Sequence, residues 1–204
     1  VLPGQYGAWT ARPDRWDTVS LRPAVPAVYE GRMTTPRLLP APTARLAFHQ
    51  MGDDDLDDMA ALLGDPAVMR YYPRPKDRAE AQGWIDWNQR LYREHGFGLW
   101  VLTLRATGEF VGDCGLTPQL IEGVTDIEVG YHVRPELQGQ GLAAEAAAAC
   151  RDLARDVLGV ERLIAIPHPD NRPSQRVAEK IGLAHERDAV DRNGLPVRIY
   201  SAAL

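Results

Sequence analysis

The chain has 204 residues, 45% of them hydrophobic, enough for one sizeable core and too few for two. Its formal net charge is −5 with a pI near 5.5, without the basic excess or stripe of a nucleic-acid binder, which argues against nucleic acid as the main partner. Cys114 and Cys150 alone make neither a disulfide framework nor a four-ligand zinc site, and no apolar run approaches the roughly 18 residues that span a bilayer, so the chain reads as cytoplasmic, metal-free and not membrane-bound.

Residues 1–42 are rich in proline and hold no period, so they read as an extended or disordered arm. Met33 followed by Thr-Thr-Pro-Arg-Leu looks like an ordinary protein start, which makes residues 1–32 an upstream extension. Regular patterning covers 43–204. Residues 44–50 alternate weakly as a strand, and the acid-rich Asp53-Asp54-Asp55 opens a helix marked by Leu56, Met59, Ala60 and Leu63. Residues 76–95 form a second helix with Trp84, Trp87 and Leu91 as its apolar marks. Strands follow at 97–104 and 110–116, joined by a Thr107-Gly108 turn, and a third at 124–133. Leu142, Ala146, Ala149, Cys150, Leu153 and Val157 share one helix face. A short strand at 162–166, a helix at 171–181 and a hairpin of 183–190 with 196–203 around Asn193-Gly194 complete the chain. Strand runs broken by helices argue for a mixed sheet, with one right-handed crossover between 133 and 162.

That crossover begins with Gln138-Gly139-Gln140-Gly141 and runs straight into the alanine-rich helix. Bare backbone N–H groups at the positive end of a helix dipole bind phosphate. Gly139 to Ala144 also fits G-x-G-x-x-A, the dinucleotide fingerprint, but antiparallel-looking strands precede it and no acidic residue ends the next strand. A P-loop lacks its Gly-Lys-Ser/Thr. A turn that merely links strand to helix is the third reading.

At this point the chain resembles a known family. Gln138-Gly139-Gln140-Gly141-Leu142-Ala143 is similar to the Gln/Arg-x-x-Gly-x-Gly/Ala signature of the GNAT N-acetyltransferases. The stretches 128–136, 143–146, 168–174 and 179–183 look like the RimJ/RimL branch, and the likeness covers about 36–204. It implies the GNAT fold, an α/β (α+β) architecture with a central mixed, mostly antiparallel sheet, a V-shaped splay and flanking helices. It implies that acetyl-CoA lies in the splay, between the strand ending near Val133 and the strand around Ile164. The backbone of His132, Val133 and Arg134 would pair with pantetheine, and the turn from Gln138 through Gly139, Gln140, Gly141, Leu142 and Ala143 would hold the pyrophosphate. Asn171 and Ser174 would also touch CoA.

Acetyl transfer to an amine needs a proton acceptor, a polarised carbonyl and a neutralised thiolate. Nothing resembles a Ser/His/Asp set, and both cysteines sit in core-like patterns. Glu128, on the polar face of its strand and at the position where the resemblance places a functional glutamate, is the first candidate base; its alternative is a solvated carboxylate. His132 is the second candidate, since its unperturbed pKa suits the task. Ser174 either caps its helix or, by resemblance, lies near the sulfur. Many GNAT enzymes carry a tyrosine acid four residues further on, where this chain has Ala178. Trp84 and Trp87 would pack in the core or shape the acceptor mouth, with acceptor loops near 64–83 and 118–124. The expected activity is N-acetyl transfer to a primary amine, either a protein N-terminus or a small molecule. A CoA-binding sensor without turnover is the alternative. A homodimer is an option that only the resemblance raises.

Overall fold

Short apolar runs punctuated by glycine turns assemble into one sheet. In the structure, a computed structural model that describes residues 38–191 and 194–204, the strands are β1 (Leu46–Gln50), β2 (Leu99–Leu104), β3 (Phe110–Ile121), β4 (Val124–Val133), β5 (Arg162–Ala165), β6 (Ala184–Val190) and β7 (Pro196–Ala203). Among the described residues they lie in the order β1-β2-β3-β4-β5-β7-β6. Every neighbouring pair is antiparallel except β4 with β5. Helices α1 (Leu56–Gly64) and α2 (Arg78–His95) connect β1 to β2, α3 (Leu142–Asp156) connects β4 to β5, and α4 (Arg172–Lys180) connects β5 to β6. The expected mixed, mostly antiparallel sheet is present, with its parallel crossover at the expected step. The arm reading of 1–42 falls outside the described residues for 1–37, as does Asn193 of the expected hairpin turn.

The start of α2 is set by reciprocal capping. Asp77 Oδ1 accepts from the Glu80 N–H at 2.9 Å, and Glu80 Oε2 accepts from the Asp77 N–H at 2.9 Å. The helix therefore opens at Arg78 rather than 76, and Gly96 at φ 79° closes it. Its core face is Ala81, Ile85, Leu91 and Tyr92. Trp84 and Trp87 are half-buried instead, packed on the core edge and lining a cleft.

The region 118–124 differs from the expected acceptor loop. β3 continues to Ile121, with Pro118 opposite Ile127 and Ile121 opposite Val124. Glu122 and Gly123, at φ 49° and 86°, make the two-residue turn. Pairing of β2 with β3 reaches Leu99 with Gly115, followed by one bond from the Leu116 N–H to the Gly98 carbonyl at 3.0 Å; past Leu116, β3 is paired on its β4 side alone. A proline is tolerated on such an edge because the missing N–H removes no ladder bond.

Trp100, Leu102, Leu116, Met59, Leu63 and Ile85 are fully buried in one cluster between sheet and helices. Gly115 lets β2 and β3 approach there: a Cβ on it would lie 2.0 Å from the Gly98 carbonyl oxygen. Gly115→Ala is expected to destabilise the fold by on the order of 3 kcal/mol, as overpacking against backbone does. Denaturant melting checks this, and an unchanged midpoint contradicts it. Cys114 and Cys150 are buried with their sulfurs 3.6 Å apart. Burial pushes the Cys114 thiol up, which leaves it inert as a nucleophile.

Candidate active site

β4 parts early from its parallel neighbour. Pairing with β5 is confined to Ile127 with Leu163 and Glu128 with Ile164. From Val129 onward the strands diverge and open a cleft of about 870 Å³, the size of a small-molecule site. Glu128 stands at the vertex.

At the far end of the cleft, Gly139 and Gly141 take φ values of 74° and 82°. Only glycine adopts this left-handed region without strain, and the turn it allows feeds directly into α3. Among the described residues, the backbone N–H groups of 139–144 meet no acceptor. They converge at the start of a helix of 15 residues, whose dipole adds positive potential. Arg45, which sequence reasoning missed, fixes this turn: Nη1 donates to the Gln140 carbonyl at 3.0 Å and Nε to Glu145 Oε2 at 2.6 Å. Burial raises the Glu145 pKa, but hydrogen bonds from Thr43 and Arg45 outweigh it and hold the carboxyl below its usual range. The only readable signal was the pairing of a basic strand residue with an acidic one in the first turn of α3. Gln138 turns inward, donating from Nε2 to the Val133 carbonyl at 2.9 Å.

The three β4 backbone positions expected to meet pantetheine do not all face the cleft. The His132 N–H donates to Asp113 Oδ1 at 3.1 Å and the Arg134 N–H to the Val111 carbonyl at 2.9 Å, both toward β3. Backbone direction alternates along a strand, so Val133 is the one of the three that faces the open side; its carbonyl accepts from Gln138 Nε2, which leaves the N–H to meet a ligand.

On the opposite wall, Asn171 caps α4, its Oδ1 accepting from the Ser174 N–H at 3.2 Å. The cap is thus Asn171, and Ser174 keeps its hydroxyl for another partner. Ser174 Oγ lies 3.1 Å from the Tyr131 hydroxyl, which also donates to the Ser174 carbonyl at 2.8 Å. Burial pushes the Tyr131 phenol up, against the Ser174 hydrogen bond, so it stays protonated. Ala178 is buried on α4, leaving no side chain to act from that position. Tyr200 is buried in the core cluster.

Glu128 Oε2 accepts from Gln119 Nε2 at 2.7 Å and from Thr117 Oγ1 at 3.3 Å. Both partners stand beyond residue 116, where the strand was expected to end, and Gln119 stands within the expected loop, which is why they were not read from sequence. Four residues along the same face, His132 is 8% exposed and bonded to the buried Asp113. The segment between α1 and α2 roofs the cleft. Tyr71 reaches across to the Asp170 carbonyl at 3.1 Å and stacks on His168, while the neighbouring Tyr72 turns down to His132. Among the described residues, no group of three or more His, Cys, Asp or Glu is arranged to hold a metal, and no helix is long and apolar enough to cross a membrane.

Comparison with known proteins agrees with this geometry. The family model for the acetyltransferase (GNAT) domain matches residues 45–184. The Bacillus subtilis (strain 168) protein YkkB is 38% identical over 159 residues, spanning 78% of this chain and 92% of YkkB. The crystal structure of an acetyltransferase from Agrobacterium tumefaciens str. C58 superposes with a TM-score of 0.71 at 26% identity, covering 85% of this chain and 100% of that one. RimL, a ribosomal L7/L12 α-N-protein acetyltransferase solved with coenzyme A, shares the fold at a TM-score of 0.63 and 15% identity, covering 81% and 97% of the two chains. A strand splay that ends on bare N–H groups at a helix start, and a family match over most of the described residues, lead to one assignment: this chain belongs to the GNAT acetyltransferase family.

Proposed function

We propose that the chain is an acetyl-CoA-dependent N-acetyltransferase that moves an acetyl group to a primary amine by direct attack, on the RimJ/RimL-like side of the family. The observation that carries this reading is the splay itself: one continuous cleft joins the bare N–H groups of 139–144 to Glu128 at its vertex. The pyrophosphate of acetyl-CoA suits the first end, and pantetheine would run along Val133 toward the vertex. Asn171 and Ser174 border its path. Glu128 accepts a proton from the incoming ammonium, directly or through water. Ser174, with the Tyr131 phenol beside it, returns a proton to the departing thiolate in place of the tyrosine missing at 178.

The acceptor side is lined by Tyr72, Trp84 and Trp87 with the Glu128 carboxylate beneath. Aromatic faces and a carboxylate together suit a cationic amine. That chemistry is shared by a protein N-terminus and a small polyamine or aminoglycoside-like molecule. The test is thiol release from acetyl-CoA across a panel of amines and short peptides, with product masses. Acetylated product with stoichiometric thiol is expected from at least one class. Binding of acetyl-CoA with no release across the panel would assign the chain as a sensor instead.

A further inference from the structure

A second set of titratable side chains runs from the buried sheet to the wall of the same cleft and moves no proton in the steps given to Glu128 and Ser174. Asp113 on β3 is fully buried and His132 on β4 is 8% exposed. His132 Nδ1 lies 2.7 Å from Asp113 Oδ1, and the other ring nitrogen, Nε2, lies 2.8 Å from the Tyr72 hydroxyl. A carboxylate that accepts from Nδ1 fixes a proton there, and whenever the ring is neutral Nε2 is then the nitrogen that accepts from the phenol. The carboxylate is fixed from two other sides. The His132 backbone N–H meets Oδ1 at 3.1 Å and Trp84 Nε1 donates to Oδ2 at 3.2 Å. Next to it, Gly112 permits the close approach of β3 to β4, since a Cβ there would lie 2.0 Å from the His132 carbonyl oxygen. Tyr72 as a whole residue is 44% exposed and lines the cleft, while its hydroxyl turns inward to His132 and is the buried part, so the chain of hydrogen bonds begins in the buried sheet and ends at the wall where an acceptor would enter.

The groups facing His132 are Asp113 on β3, Glu128 on β4, and Tyr72 and Lys76 on the segment above. Burial pulls the imidazole down; the charge and hydrogen bond of Asp113, helped by Glu128 and opposed by Lys76, more than reverse this, and the net direction is up. Burial, with the charges of Glu128 and Asp113, raises the Tyr72 phenol and keeps it protonated.

We propose that Asp113, His132 and Tyr72 form a proton relay for the acceptor amine, with Tyr72 the catalytic residue that touches the amine and His132 and Asp113 positioned behind it. The proposal rests on the acetyl-transfer reading. An ammonium acceptor sheds two protons during the reaction. Glu128 takes the first and frees the lone pair. Attack on the thioester carbon forms the N–C bond and leaves the nitrogen positively charged. The Tyr72 oxygen takes the second proton as its own passes to His132 Nε2, and Asp113 neutralises the imidazolium. The C–S bond then breaks, its electron pair leaves on sulfur, and the sulfur gains a proton from the Ser174 side. His132 returns its proton through Tyr72 to water. Glu128 releases its proton to solvent and Ser174 is reprotonated from solvent, so of the two protons shed by the ammonium one ends on the thiol and one, net, in solvent.

The test uses the full chain with saturating acetyl-CoA and an amine found by the panel, and measures kcat against pH for wild type, Tyr72→Phe and Asp113→Asn, with acetyl-CoA affinity by calorimetry. Tyr72→Phe keeps the ring and its packing. It is expected to lower kcat about 100-fold, the low end of what a positioned acid–base group contributes. Acetyl-CoA affinity and amine KM stay near wild type. Wild-type kcat rises with pH through the elevated His132 pKa, because the ring must be neutral to accept. Asp113→Asn removes the charge that raises it and shifts this limb to lower pH, an effect that loss of packing alone does not produce. Should Asp113→Asn not fold, Tyr72→Phe decides. A wild type that turns over while Tyr72→Phe retains half or more of its kcat at every pH overturns the relay alone. A wild type that binds acetyl-CoA and releases no thiol overturns acetyl transfer and the relay together.

Discussion

Gly141→Asp is expected to abolish acetyl-CoA binding while leaving the protein folded. Gly141 sits at φ 82°, where any side chain is strained by roughly 1–2 kcal/mol, a loss the whole domain can absorb. The effect on the ligand is larger. Each N–H bond to a charged group contributes roughly 1.5–3 kcal/mol, so losing two of the bare N–H groups of the turn raises Kd more than about 100-fold. Aspartate adds a negative charge at the place meant for phosphate. It would also compete for Arg45, whose Nη2 lies 3.6 Å from where the new Cβ stands, and draw it from the Gln140 carbonyl. Calorimetry with an unchanged affinity would contradict the placement of the pyrophosphate.

Glu128→Gln is expected to have the opposite profile. The amide preserves shape at the vertex of the splay but cannot take a proton. Turnover should fall by about 10²–10⁴, the usual contribution of a general base. Acetyl-CoA affinity should stay within about twofold of wild type, because the phosphate end of the cleft is untouched. The neighbouring Gln119 amide and Thr117 hydroxyl lose a charged acceptor, so a small fall in stability accompanies the change. An unchanged rate across the pH range would refute the base role and shift the chemistry to the His132 side.

The glycine turn before α3 was legible in the sequence because glycines there answer to backbone needs. Gly139 and Gly141 must take positive φ, and the helix after them has an uninterrupted apolar face. The succession of strands and helices was legible in outline, since alternation and turn residues act over a few positions. What could not be read depends on register between distant segments. The strand was expected to stop at 116, yet β3 runs on through Pro118, where β2 has already ended at Leu99. That extension is what brings Gln119 and Thr117 to Glu128. Asp113 is a single polar residue in the otherwise apolar run 110–116, without a local pattern to single it out; only its register opposite His132 makes it a partner. Tyr72 stands in a segment without period, and its direction is set by the roof over the cleft. Arg45 lies 100 positions from Glu145 in the chain, beyond the reach of any local pattern.

The most direct test of acetyl transfer is a paired assay of wild type and Gly141→Asp with acetyl-CoA and the amine and peptide panel. Thiol release and product mass are read from the same reaction. The wild type is expected to release one thiol for each acetylated amine, and the variant none at the same acetyl-CoA concentration. Equal release by both proteins, or thiol release without an acetylated amine, would contradict acetyl transfer in this cleft.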